Sequence, residues 1–176
     1  MNNTSHSLSS IRISQIAILS ALSIVLKYAF SPFPNVQPIT AIFLATAVTI
    51  GFVDSILIMM ISILISSFLW GIGPWTVFQI LSFSLIISLW KYIIYPLICS
   101  LKLQKHIELF AFSIFSALLG IVYGVFIDSL SALLYGMPWW SYIINGMSFN
   151  LAHAISTAIF FPITLAIINK YSISVQ

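Results

Sequence analysis

The chain has 176 residues, a formal net charge of +3, 5% charged and 61% hydrophobic residues, and a mean hydropathy of +1.14. Soluble domains are about a quarter charged, so a cytosolic enzyme, a nucleic-acid binder and a disordered segment are excluded; the six basic residues are too dispersed for a phosphate-tracking stripe. The single cysteine, Cys99, excludes a disulfide framework and a cysteine-rich metal site.

The remaining class is an all-α integral membrane protein, and the pattern predicts six transmembrane helices, the second and third short. Residues 1–10 are polar and read as a tail, with no signal-peptide cleavage pattern. The first helix is predicted over Ile11 to Phe30, about the length that crosses a bilayer. Ser31 to Pro38 holds three prolines in seven positions and ends it. Ile39 to Trp70 is apolar almost throughout, but one helix of that length would be roughly 48 Å long. A split at Gly51–Asp54 gives two short helices; a re-entrant hairpin is the alternative and leaves the later topology unchanged.

Gly71-Ile72-Gly73-Pro74 is the next break, and the fourth helix is predicted from Trp75 to about Leu97. Ser100 to Glu108 is the most polar interior stretch. The fifth helix is predicted over Leu109 to Tyr135, and the sixth from about Trp140 to Ile168, with Gly136-Met137-Pro138 between them. The whole is one membrane domain, 11–170, with a short tail at 171–176. Six crossings put both termini on one side. Arg12, Lys102, Lys105 and Lys170 fall at that face and Lys27 alone near the other, so the positive-inside rule puts both termini in the cytoplasm. Lys91 lies inside the fourth helix, where it could snorkel.

The three outer connections hold or border Phe33, Asn35, Gln37, Trp70, Trp75, Trp139 and Trp140, four of the five tryptophans. One reading is an interfacial aromatic belt, with Trp90, Tyr92 and Tyr95 as its poorer inner counterpart. The other is a pocket. Pro38, Pro74 and Pro138 each start an inward-running helix, a position where proline's missing N–H costs nothing. Three helix N-termini would then bring unpaired N–H groups to the outer end. With amides from Asn35, Gln37 and Gln79, this suits a large ligand rich in amides or carbonyls.

Ser116, Gly120, Gly124, Asp128 and Ala132 recur every four residues along the fifth helix, the spacing of a close helix contact. Asp128 lies on that ridge, with Lys27 as its expected partner; ligand contact and proton coupling are the other readings. Asn150, His153 and Thr157 form a polar ridge on the sixth helix, for interhelical bonding or for a pocket floor. His153 lacks a second ligand at metal-binding spacing. Ala17 and Ala21 form a small-xxx-small pair that permits close packing on a partner helix. No nucleophile elbow, zincin or P-loop motif occurs, and no internal repeat of the secondary-transporter kind is evident. The chain therefore reads as a non-enzyme binder that needs a partner to drive accumulation.

Phe33-Pro34-Asn35-Val36-Gln37-Pro38-Ile39-Thr40 resembles the first-loop signature of one subgroup of substrate-binding S components of energy-coupling factor (ECF) vitamin transporters. Gly71-Ile72-Gly73-Pro74-Trp75-Thr76 with Gln79 resembles its second signature; Ile127-Asp128 and Phe149-Asn150 to His153-Ala154 resemble its third and fourth. Ser156-Thr157 stand where the subgroup often carries Gly-Asn. The resemblance runs over most of Arg12 to Lys170. It implies an S component in a bacterial plasma membrane that captures a vitamin, docks on a transmembrane scaffold carrying two cytoplasmic ATPases, and topples to release it. By the same analogy Ala17 and Ala21 would form the docking face. Asn35, Gln37, Trp75, Gln79, Asn150 and His153 would line the site, with Phe33, Asp128, Trp139 and Trp140 as further ligand-site candidates. The subgroup implies cobalamin as ligand, the cobalt arriving with it and ATP used only by the partners; riboflavin suits aromatic walls too. A structural membrane protein with merely anchoring aromatics is the competing reading, and an intramembrane enzyme using Asp128 and His153 is the last.

Overall fold

The computed structural model describes residues 10–171, so the predicted tails lie outside the described residues except for Ser10 and Tyr171, which already belong to helices. Among the described residues every regular element is helical. In chain order they are α1 (Ser10–Ala29), α2 (Ile39–Thr49), α3 (Phe52–Trp70), α4 (Pro74–Leu89), a π-helical turn (Trp90–Ile94), α5 (Tyr95–Ser100), α6 (Lys105–Tyr135) and α7 (Trp139–Tyr171). The stretch from Pro74 to Ser100 runs on as one helical rod.

Five helical segments are long and apolar enough to cross a membrane: Ser10–Ala29, Phe52–Trp70, Pro74–Ser100, Lys105–Tyr135 and Trp139–Tyr171. The predicted split at Gly51 is found, but only one of the two helices is short. α3 is full length at 19 residues, whereas α2 has only 11 and spans about 16 Å. Its sequence explains the difference. Ile39 to Ala47 are all buried, on every face of the helix, which is how a helix apolar all round behaves when it runs through the middle of a bundle. Ala41, Ala45, Ala47, Thr40 and Thr46 keep it slim, so neighbouring backbones approach closely, as packing in lipid requires. Thr46 and Thr49 return their hydroxyls to carbonyls one turn back.

Side-chain pairs set the directions. Arg12 meets Asp54, Ser62 donates to the Ser20 carbonyl, and Lys27 meets Ser66, so α1 and α3 run parallel. α2 runs the opposite way and packs chiefly against α7 and α3. α6 and α7 run antiparallel: a Cβ at Gly120 would touch Ala154, one at Gly124 would strike Asn150, and one at Gly146 would strike Asp128. The ridge of small residues on α6 thus faces α7. Residues 30–38, 71–73 and 136–138 gather at one end of the bundle. Arg12, the Lys102 to Lys105 turn and Lys170 lie at the other, where the beginning of α1 and the end of α7 line a common groove.

Two differences from the sequence reading have plain causes. Trp90 is fully buried rather than part of an inner aromatic belt, packed edge-on against Phe112 and Phe161. The π-helical turn there precedes Pro96, whose missing N–H would otherwise interrupt a regular helix. Asp54, read only as a breakpoint, is buried near the start of α3 and accepts both contacts of the Arg12 Nε, at 2.8 and 2.9 Å.

Candidate functional site

A cavity of about 180 Å³ opens beside the first two of the three gathered loops. α1 contributes Lys27, the first loop Asn35 and Gln37, α2 Ile39, α3 Ser66, Ser67 and Trp70, α4 Trp75, Gln79 and Phe83, α6 Tyr123 and α7 His153. Contributions from six helices and two loops, Gly71 coming from the second, mean that no short segment could build it alone.

The loop is pinned from below. Asn35 has a φ of 60°, a left-handed conformation that asparagine tolerates better than most residues. Its Nδ2 donates to the Phe149 carbonyl at 3.1 Å. The Asn35 carbonyl lies 3.3 Å from His153 Nδ1, and Ser156 donates to the Gln37 carbonyl at 3.0 Å. A carbonyl oxygen only accepts, so Nδ1 carries the proton. In the neutral ring Nε2 then accepts from Thr40 Oγ1, 2.9 Å away. Both ring nitrogens are thereby engaged, and Tyr123 stacks on the ring with centroids 5.0 Å apart. His153 holds the loop and the start of α2 in place. Among the described residues no group of three metal-ligating side chains assembles.

On the opposite wall Gly73 is extended, and the Trp75 ring folds back over it so closely that a Cβ there would collide with the ring. Gln79, one turn further along α4, buries its Oε1 without a protein partner. Burying an unpaired amide oxygen costs about 1–3 kcal/mol, so this atom awaits a donor. Phe83 closes the floor between Phe43 and Tyr123, at centroid distances of 5.1 and 4.3 Å.

Five of the ten predicted ligand-site residues line the cavity: Asn35, Gln37, Trp75, Gln79 and His153. The others are elsewhere. Phe33 is 59% exposed. Trp139 and Trp140 pack edge-on against each other, exposed, with the Trp139 Nε1 donating to Ser129 Oγ. Asp128 borders a separate groove with Met137, Ser141 and Tyr142. Its expected pairing with Lys27 is not formed: Asn150 Nδ2 donates to Asp128 at 2.8 Å, and Lys27 Nζ donates to Ser66 Oγ at 2.9 Å. The antiparallel α6–α7 pair brings the carboxylate to Asn150, while α1 packs on α3. The sequence reading misplaced Lys27 and missed Ser66, Ser67, Phe83 and Tyr123; for Lys27 and Ser66 the signal was a lone lysine in an apolar span facing a helix with Ser62, Ser66 and Ser67 on one side. Ala17 and Ala21 both lie on the exposed face of α1.

Comparison with family models, with curated proteins and with solved structures finds no match to this chain.

Proposed function

We propose that this chain is the ligand-capturing subunit of a multi-pass membrane importer, an S component of the ECF type, and that the cavity behind Trp75 is its binding site. The observation that carries this reading is the cavity itself. It combines aromatic walls, side-chain amides and a buried acceptor lacking a protein partner, which is the composition of a small-molecule site. The resemblance of the two loop signatures adds to it, because both signatures supply cavity residues. Asp128 and His153, the pair on which the enzyme reading rests, belong to different surroundings, which disfavours that reading.

In this proposal the chain lies in a bacterial plasma membrane. The end bearing Arg12, Lys102, Lys105 and Lys170 faces the cytoplasm, as the positive-inside rule directs, and the cavity faces outward. Six passes result, with α2 as a central, protein-buried descent. Ala17 and Ala21 then offer an uncovered small-residue face to a scaffold subunit, which carries the two ATPases that supply energy. The cavity volume is below the roughly 300–1,000 Å³ of sites that enclose drug-sized ligands. This favours a ligand smaller than a corrinoid. Cobalamin remains a candidate if the loops part, or if only an edge of the molecule enters. A structural role is the second reading, supported by the exposed tryptophan pair at 139 and 140.

The test is to purify the chain alone in mild detergent, identify co-purifying solutes by mass spectrometry, and titrate cobalamin by calorimetry with riboflavin as control. Saturable one-site binding of any of these supports the proposal. A folded sample that binds none of them leaves the structural reading standing.

A further inference from the structure

Among the described residues the cavity wall carries one ammonium and no carboxylate. Lys27 is 8% exposed although it sits near the end of α1, where a lysine that merely snorkelled would hold its head in water. Instead Nζ reaches across to α3 and donates to Ser66 Oγ at 2.9 Å. Ser66 spends its own hydrogen on the Ile63 carbonyl at 3.1 Å, so its lone pair is what faces the lysine. An ammonium has three donors; Ser66 takes one, and among the described residues no carboxylate is bridged to this lysine. A buried cation without a counter-ion is costly, and a site can recover that cost by taking the counter-charge from its guest. The neighbouring hydroxyl of Ser67, also in the wall, adds a second small polar group beside it.

We infer that the cavity selects a small ring-bearing organic anion, whose carboxylate is held by the Lys27 ammonium while its ring lies among Trp75, Phe83 and Tyr123. This rests on the capture role proposed above and names the charge class of its ligand. A carboxylate satisfies two donors at once, and charge-assisted bonds are about twice as strong as neutral ones. The unpaired Gln79 Oε1 supplies the second point of recognition, an acceptor for an N–H or O–H on the same molecule. An organic cation is disfavoured by the same ammonium. A lipid phosphate is the other source of an anion in a membrane, but the aromatic walls and the small volume suit a ring-bearing solute better.

The experiment is calorimetric titration of the full chain in neutral phosphatidylcholine nanodiscs with matched charged and neutral ring-bearing probes: nicotinate against nicotinamide, and biotin against its amide. Riboflavin and cobalamin are run alongside, each probe to about 1 mM, the weak limit of useful affinity. At least one acid is expected to saturate one site, with its neutral partner roughly tenfold to a hundredfold weaker. Lys27→Met should erase that difference and Lys27→Arg should retain it, with the melting temperature of each variant showing that it is folded. Equal binding of acid and neutral partner overturns the inference, as does an acid preference that survives Lys27→Met. Loss of the preference when phosphatidylglycerol is added overturns it too, by assigning the ammonium to a lipid phosphate. Binding of riboflavin or cobalamin with no acid bound overturns the charge assignment and leaves the capture role intact. A folded chain that binds no probe overturns both.

Discussion

Glycines and amides set the side chains of this site and its neighbourhood. Gly73 leaves room for the Trp75 ring, and any Cβ there meets it. Gly73→Ala should therefore swing Trp75 out of the cavity wall, weakening ligand binding while leaving the fold intact; a shift of tryptophan emission on ligand addition is expected in the native chain and should be reduced in the variant. Gly124 makes the same kind of room for Asn150, and here the displaced group is locked to Asp128. Gly124→Ala should cost about 1–3 kcal/mol by overpacking, read as a lower melting temperature in detergent. Asp128→Leu should cost a similar amount, about 1–3 kcal/mol, because Asn150 Nδ2 is left without its acceptor. Asp128→Asn keeps an acceptor and should be far milder. A ligand affinity unchanged by Asp128→Asn is expected, since the residue borders a different groove. The sequence made the small-residue ridge legible through its four-residue spacing. It could not say which polar residue of α7 would meet Asp128, because that depends on the register of two helices whose meeting residues lie 22 apart in the chain.

The helices divide into those that anchor and those that carry the site. α1 and α3 are tied at one end by Arg12 and Asp54 and at the other by Lys27 and Ser66. The Asp54 side chain is 4% exposed and that of Arg12 39%, so Arg12→Ala leaves a nearly buried carboxylate without this guanidinium. The expected cost is about 1–2 kcal/mol, below the roughly 3–5 of a fully buried pair, because water screens the exposed partner. Thermal unfolding of the variant against the native chain measures it. α2 was the element hardest to read in advance. Its uninterrupted apolar run, Ile39 to Ala47, carries no face to orient it, so length and breaks were the only guides; the break at Gly51 and the shortness of α2 were read, and the full length of α3 was not. Proline and glycine punctuation fixed the other ends to within a few residues. The π-helical turn at Trp90–Ile94 had only Pro96 as a hint, and the belt reading of Trp90 failed because its neighbours Phe112 and Phe161 come from α6 and α7.

At the scale of the whole molecule the charges mark one end and the cavity the other. Sequence alone grouped Arg12, Lys102, Lys105 and Lys170 together, because alternating crossings require it; the fold places them together opposite the cavity. The orientation this implies is open to direct measurement. In a Cys99→Ser background, a cysteine replacing Met137 should react with a membrane-impermeant maleimide added to intact cells, and one replacing Lys102 should react only after lysis. The candidate site was half legible. Loop residues that resemble transporter signatures pointed to Asn35, Gln37, Trp75 and Gln79, but exposed aromatics such as Trp139 and Trp140 carried the same compositional signal without the location. Lys27, Ser66 and Tyr123 come from three helices far apart in the chain, and only the packed bundle brings them to one wall.

The central claim, that the cavity behind Trp75 captures a solute, is tested most directly by calorimetric stoichiometry on three forms: the native chain, Trp75→Ala and Trp139→Ala. The titrant is the co-purifying solute where one is found, and otherwise each probe named above. One site per native chain is expected, lost or weakened at least roughly tenfold in Trp75→Ala, as for removal of an aromatic anchor, and kept in Trp139→Ala. Binding that survives Trp75→Ala and disappears in Trp139→Ala would place the site at the exposed rim and contradict the account, and a folded native chain that saturates with nothing would contradict it entirely.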